Sequence, residues 1–159
     1  MVQLTIHSRM PDFRLLGSIV EPDRDSIYGE SDLEGLSAFA GLEAMAQLAA
    51  LHVRYLSNFE RHAFLLKAIR CRWPDREVLK AHFSLCARMK RRSSDAFVYD
   101  VTARGRRGGS LGAELLIGTA AYGARFREAI LKPHYQQIFE RLNQDAAGNN
   151  RSGAIGARD

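Results

Sequence analysis

The chain has 159 residues, 46% of them hydrophobic, and a net charge of +5 from 23 Lys and Arg against 18 Asp and Glu. That length suits one domain, and the composition is that of a globular protein, not of a disordered or fibrous one. No apolar run reaches the roughly 18 residues of a membrane span, and Met1 to Pro11 lacks a basic-then-apolar leader pattern, so a cytoplasmic location is expected.

Phe13 to Glu21 reads as a strand, rich in Leu, Ile and Val. Pro22-Asp23-Arg24-Asp25 is a turn, because Pro fixes φ and Asp bonds its own backbone. Ser26 to Glu30 completes a hairpin. After a loop with Gly35, Ser37 is placed to cap a helix over Ala38 to about Asn58. Phe39, Leu42, Ala46, Ala49, Val53 and Leu56 recur every three or four residues. Most other positions there are also small or apolar, as in an enclosed helix.

The period then switches to two. Phe64 to Trp73 is a mostly apolar strand broken by Pro74-Asp75. Leu79 to Lys90 and Phe97 to Arg104 alternate apolar and polar residues, as strands with one wet face do. Leu111 to Tyr122 is a last strand, and turns fall at Arg91–Asp95 and Gly105–Gly109. The expected fold is α+β: one antiparallel sheet wrapped around one central helix. Arg125 to Asn143 reads as a helical extension, with Pro133 starting or kinking a turn. Residues 144–159 read as a disordered tail.

Glu43 stands out in this helix, because a buried carboxylate is costly unless bonded or functional. Gln47 follows one turn later and Arg54 three turns later on the same face. Burial there would suit a carboxyl to proton transfer near neutral pH, whereas at a helix start it would simply complement the dipole. His7, His52, His62, His82 and His134 fall at no metal-ligand spacing, and no GxSxG or P-loop pattern occurs. Cys71 and Cys86 form no CxxC pair, so neither disulfide nor zinc site is expected. Two basic clusters, Arg88 with Lys90, Arg91 and Arg92, and Arg104 with Arg106 and Arg107, suit an acidic partner or a solvated face. No nucleic-acid-binding motif accompanies them.

Gly41-Leu42-Glu43-Ala44-Met45-Ala46-Gln47 resembles the start of the central helix in hotdog-fold 3-hydroxyacyl-ACP dehydratases of the FabZ type. It is most similar to the ApeP-like branch from aryl-polyene clusters, where a Phe-Leu-Leu strand entry follows; here that is Phe64-Leu65-Leu66. The resemblance covers about residues 10–123, mainly as pattern. It implies a hotdog fold, pairing as a homodimer or with another hotdog subunit, and a tunnel for an acyl chain. The chain would be carried on the phosphopantetheine of acyl carrier protein, with no other cofactor and no metal. It gives Glu43 the acidic role and Gln47 a supporting one, with Gly41, Phe64, Leu65 and Leu66 at the substrate. The basic clusters then become docking sites for the acidic carrier protein. The family's catalytic His would fall near Gly29, but no His occurs between His7 and His52, and the family's His-Arg-x-Pro entry survives only as His7-Ser8-Arg9-Met10-Pro11.

Three readings follow. One is a dehydratase-like subunit of fatty-acid or polyene-type biosynthesis, alone or beside a partner that carries the missing His. Another is a thioesterase whose helix carboxylate serves as base or nucleophile. The third is a non-catalytic acyl or carrier-protein binder.

Overall fold

A computed structural model describes residues 14–74, 78–79 and 81–152, with side chains through residue 147. The elements are β1 (Ser18–Val20), β2 (Ser26–Asp32), α1 (Ala38–Leu56), β3 (Arg61–Arg72), β4 (His82–Arg92), β5 (Ala96–Gly105), β6 (Ser110–Ala121) and α2 (Glu128–Ser152). The sheet runs β1-β2-β4-β5-β6-β3, and each neighbouring pair is antiparallel. Leaving β2, the chain crosses the sheet as α1, lands on the far edge as β3 and returns to β4 beside β2. The helix is thereby laid over one face of the sheet, as the sequence implies.

Strict alternation explains the packing. Phe83, Leu85 and Ala87 of β4, Tyr99, Val101 and Ala103 of β5, and Leu111, Ala113, Leu115 and Ile117 of β6 are buried on the inner face. They meet Ala44, Met45, Leu48, Ala49 and Val53 of α1 in one hydrophobic core. The buried face of α1 is therefore rotated from the one the periodicity suggests. Phe39 is largely exposed and lies beside Trp73, ring centroids 5.2 Å apart. Ser37 holds the N-cap position in an extended conformation, but its side chain makes no capping bond.

Other boundaries shift for local reasons. β1 pairs over three residues only; Leu15 and Leu16 are buried without joining a ladder, and Phe13 lies outside the described residues. In the hairpin turn, Asp23 Oδ1 accepts the N–H groups of Asp25 and Ser26, each at 2.7 Å. β4 begins at His82, because Val78 and Leu79 pair with the loop before α1: Leu79 N–H donates to the Leu36 carbonyl at 2.8 Å. After α1, Asn58 and Phe59 take positive φ to turn the chain into β3.

α2 starts at Glu128 and carries Pro133 in its second turn. It continues past Asn143 to Ser152, so residues 144–152, expected to be unstructured, are helical; 153–159 lie outside the described residues. Its apolar side stacks on α1: Phe139 lies 5.2 Å from Tyr55 and 5.6 Å from Phe59, ring centre to centre. Lys132 also pairs with Glu60 in the turn after α1. This packs α2 against the C-terminal end of α1 and the turn after it.

Candidate active site

Glu43, Gln47, Ala50, Leu51 and Arg54 recur at helical spacing on one face of α1. That face is the floor of a half-open groove of about 430 Å³. β3 forms one wall with His62, Ala63, Phe64 and Leu65, and α2 closes one end with His134, Tyr135 and Ile138. Arg14 and Leu16, before β1, flank the other side.

Glu43 is half-buried at this floor, not enclosed as a fully buried helix would have it. Gln47 Nε2 donates to Glu43 Oε1 at 3.2 Å, and Gln47 Oε1 accepts the N–H of Leu15 at 3.0 Å. Gln47 thus clips the segment before β1 onto the helix and steadies the carboxylate. Phe64 and Leu65 also reach the groove. Gly41 and Leu66 are not among its lining residues. Gly41 faces the sheet: a Cβ there would lie 2.9 Å from Leu111 and 3.3 Å from Leu79, so glycine permits close helix–sheet packing. Leu66 lies over Gly118 on the outer side and is exposed.

At the α2 end the groove is polar: Arg54 lies on the Glu43 face as its spacing implies, and His62 and Tyr135, which the spacing did not bring to it, join it there. Arg54 is only 5% exposed and His62 only 8%. Arg54 Nη2 donates to the Ala63 carbonyl, and the guanidinium sits 3.6 Å from the centre of the Tyr135 ring. Arg54 Nε and His62 Nδ1 are both buried without a hydrogen-bond partner. His62 stacks on Phe126, ring centroids 4.4 Å apart. Burial and the neighbouring Arg54 charge hold its pKa below the usual histidine value. The available signal was a cation inside an otherwise apolar helix, which requires partners wherever it lands.

The other buried histidine is accounted for. His52 Nε2 is 2.9 Å from the Asp23 carbonyl, which can only accept, so Nδ1 accepts the Tyr99 hydroxyl at 2.8 Å. Half-exposed His82 pairs with Glu30 at 2.8 Å on the wet face. His7 and the motif around it lie outside the described residues.

The basic residues divide into three places. Arg88 and Arg104 line a shallow outer groove with Tyr28, Cys86 and Asp100. Lys90, Arg91 and Arg92 gather with Arg24 near the β4–β5 turn. Arg106 and Arg107 occupy the β5–β6 turn, where Arg107 lies 3.9 Å from Glu34. Arg91 pairs in register with Val98, so roughly 25 Å of β5 separates it from Arg106 at the usual rise per strand residue. Cys71 and Cys86 are free. No described helix is long and apolar enough to cross a membrane.

No family model matches this chain, and no curated protein matches it in sequence. Solved structures match it in fold. A mutant thioesterase from Pseudomonas aeruginosa aligns with a TM-score of 0.55 at 14% identity, over 65% of this chain and 80% of that one. The dehydratase heterocomplex ApeI:P from Xenorhabdus doucetiae aligns at 0.58 and 9% identity, over 68% and 84%. A hypothetical thioesterase with coenzyme A from Streptococcus pneumoniae aligns at 0.54 and 11% identity, over 65% and 85%. At such identities the likeness is one of fold, and the fold is the hotdog.

Proposed function

We propose that this chain handles acyl thioesters, with Glu43 as the proton-transfer group and the α1–β3–α2 groove as the acyl site. The observation that carries this reading is the Glu43–Gln47 pair at the floor of a groove whose middle is apolar. Such a site holds a hydrocarbon chain by burial and presents a fixed carboxylate to its reacting end. The GLEAMAQ helix start directs the finer reading to a 3-hydroxyacyl-ACP dehydratase-like subunit, with the substrate delivered on the phosphopantetheine arm of an acyl carrier protein. Loss of water needs one group to take the proton from C2 and another to protonate the departing hydroxyl. Glu43 supplies one of these. Among the described residues the groove's histidines, His62 and His134, stand at its α2 end, and α1 separates residues 43 and 54 by about 16 Å, so in this reading a second hotdog subunit supplies the other.

A thioesterase is the second reading, favoured by Glu43 as the one carboxylate among the described residues that line the groove. Glu43 would take a proton from a water that attacks the thioester carbonyl, and the thiolate would leave and be protonated. One experiment separates the two. The protein is incubated with 3-hydroxyacyl and saturated acyl thioesters of carrier protein, and enoyl product and free thiol are followed separately. Enoyl formation supports the dehydratase and free thiol the thioesterase. Neither signal, with a second hotdog subunit also supplied, defeats both.

A further inference from the structure

Arg54 is a buried cation for which no carboxylate stands within ion-pair distance among the described residues. Burying a guanidinium is costly unless charge or hydrogen bonds offset it. Its Nη2 has the Ala63 carbonyl and its face has the Tyr135 ring, both modest compensation. Its Nε–H has nothing, and neither does His62 Nδ1 nearby. Both side chains line the groove. Two side chains that line one cavity, each with a buried polar atom lacking a partner, point to where a ligand's acceptor would be taken up.

The groove is polarised as well. Glu43 stands at one end and Arg54 at the other, about 16 Å apart along the helix. Apart from Gln47 beside Glu43, the floor between them is Ala46, Ala50 and Leu51, which suits hydrocarbon and rejects a second charge. Glu43 repels an anion at its end, where Arg14 on the flank offsets part of that charge, and Arg54 attracts one at the other. An arginine is permanently charged and presents its donors in a planar fork that matches a carboxylate. A neutral His62, kept so by burial and by Arg54, adds one further donor from Nδ1 in the matching tautomer.

We propose that Arg54, with His62 and Tyr135, forms an anion site at the α2 end of the groove that takes the distal carboxylate of an acyl chain. In this form the inference rests on the acyl-groove reading, with the thioester at Glu43. The preferred substrates are then acyl thioesters that carry a carboxylate at the far end, in place of simple fatty acyl groups.

The test is the binding of octanoate and octanamide to the full chain by calorimetry. These ligands share a hydrocarbon and differ in charge. Octanoate should bind at least about tenfold more tightly, as expected for a hydrogen bond to a charged group. Arg54→Gln should erase that preference, and Arg14→Gln, at the other flank of the groove, should leave it intact. Equal affinities, no binding of either ligand, or a preference that follows Arg14 would each overturn the site. If Arg54→Gln does not fold, the wild-type comparison of the two ligands still decides. Octanoate selectivity without thioester turnover would defeat the proposed function alone; turnover without selectivity would defeat the anion site alone.

Discussion

Gln47 joins Glu43 to the backbone of Leu15: its amide nitrogen donates to the carboxylate at 3.2 Å, and its oxygen accepts the Leu15 N–H at 3.0 Å. The carboxylate therefore faces the groove in a defined orientation, one turn from a side chain that is itself anchored. In the proposed role, a group held this way would transfer a proton without first reorganising.

Glu43→Gln should lower thioester turnover by roughly 10²–10⁴, the usual worth of a positioned acid or base. The amide keeps the shape and can still bond Gln47, so the fold should persist and the melting temperature should stay level or rise. Turnover and melting are measured on the one variant. A clear loss of stability with normal turnover per folded molecule would return Glu43 to a structural role.

Tyr99→Phe should destabilise the protein by about 1–3 kcal/mol, because it strands the buried Nδ1 of His52 without a donor. Both side chains are fully buried, so water cannot replace the lost hydroxyl. Urea denaturation of the variant against wild type gives the difference. A change within error would mean that the pair contributes nothing.

Acid should weaken the fold earlier than carboxylate titration alone would. Burial holds His52 below its ordinary value of 6.5, outweighing the opposing Asp23 carbonyl and the Asp23 and Asp25 charges. His62 is shifted the same way. Below about pH 6.5 the unfolded chain takes up protons that the folded chain refuses, so stability rises with pH in that window. It is complete above the unfolded value and falls as pH drops through the depressed folded values. Denaturation midpoints at pH 7.5, 6.5 and 5.5 should decline, and His52→Gln should flatten the decline. A level wild-type profile over that range would contradict this.

One edge of the sheet is guarded and the other is not. β1 is three residues long and α2 packs along it, whereas β3 runs twelve residues with Leu65 and Leu66 exposed. Irregular register after Leu65 and after Ile69 blunts that edge only in part. An open strand of this length invites a second strand. Light scattering should give a mass near twice 17.8 kDa, or a complex with another hotdog subunit, and Leu66→Asp should shift it toward the single chain. A stable 17.8 kDa species at micromolar concentration would rule the edge out as an interface.

Much of this architecture was legible because β4 and β5 have one wet and one dry face, which writes a period of two into the chain. The central helix was legible from its apolar content, but content does not orient a helix. With small apolar residues on every side, the periodic set joined buried Ala46, Ala49 and Val53 to exposed Phe39, and Met45 and Leu48, also apolar and buried, stood outside it. β1 was overestimated because Leu15 and Leu16 are buried by packing without strand pairing. α2 was underestimated because Gln144 to Ala147 carry no apolar stripe, although they have nothing to stop a helix already begun. At the site, Glu43, Gln47 and Arg54 were readable as a polar stripe on one helix face, but the partners of Arg54 were not. Arg54, His62 and Tyr135 come from three elements, and only tertiary folding brings them together.

The same folding brings Arg88 and Arg104 together and sets Lys90, Arg91 and Arg92 apart from Arg106 and Arg107, so the outer arginines cannot serve one small partner equally. Arg106 and Arg107 lie at the end of the sheet that also carries the start of α1: Arg106 N–H bonds the His82 carbonyl at 3.0 Å, and Arg107 approaches Glu34. Arg91 and Arg92 lie by the opposite turn, on the side where α1 ends and the chain enters β3 through Arg61, itself paired with Asp95 at 2.7 Å. In the proposed reading, a thioester at Glu43 with its chain directed toward Arg54 would bring a carrier protein to the first end. Charge reversal at Arg106 and Arg107 should therefore weaken binding of acyl carrier protein by about two- to fivefold per charge. The effect should fade as salt shortens the screening length below about 8 Å. Reversal at Arg91 and Arg92 should change affinity little. The opposite ranking would reverse the polarity assigned to the groove, and no effect from either pair would leave the arginines as a solubilising surface.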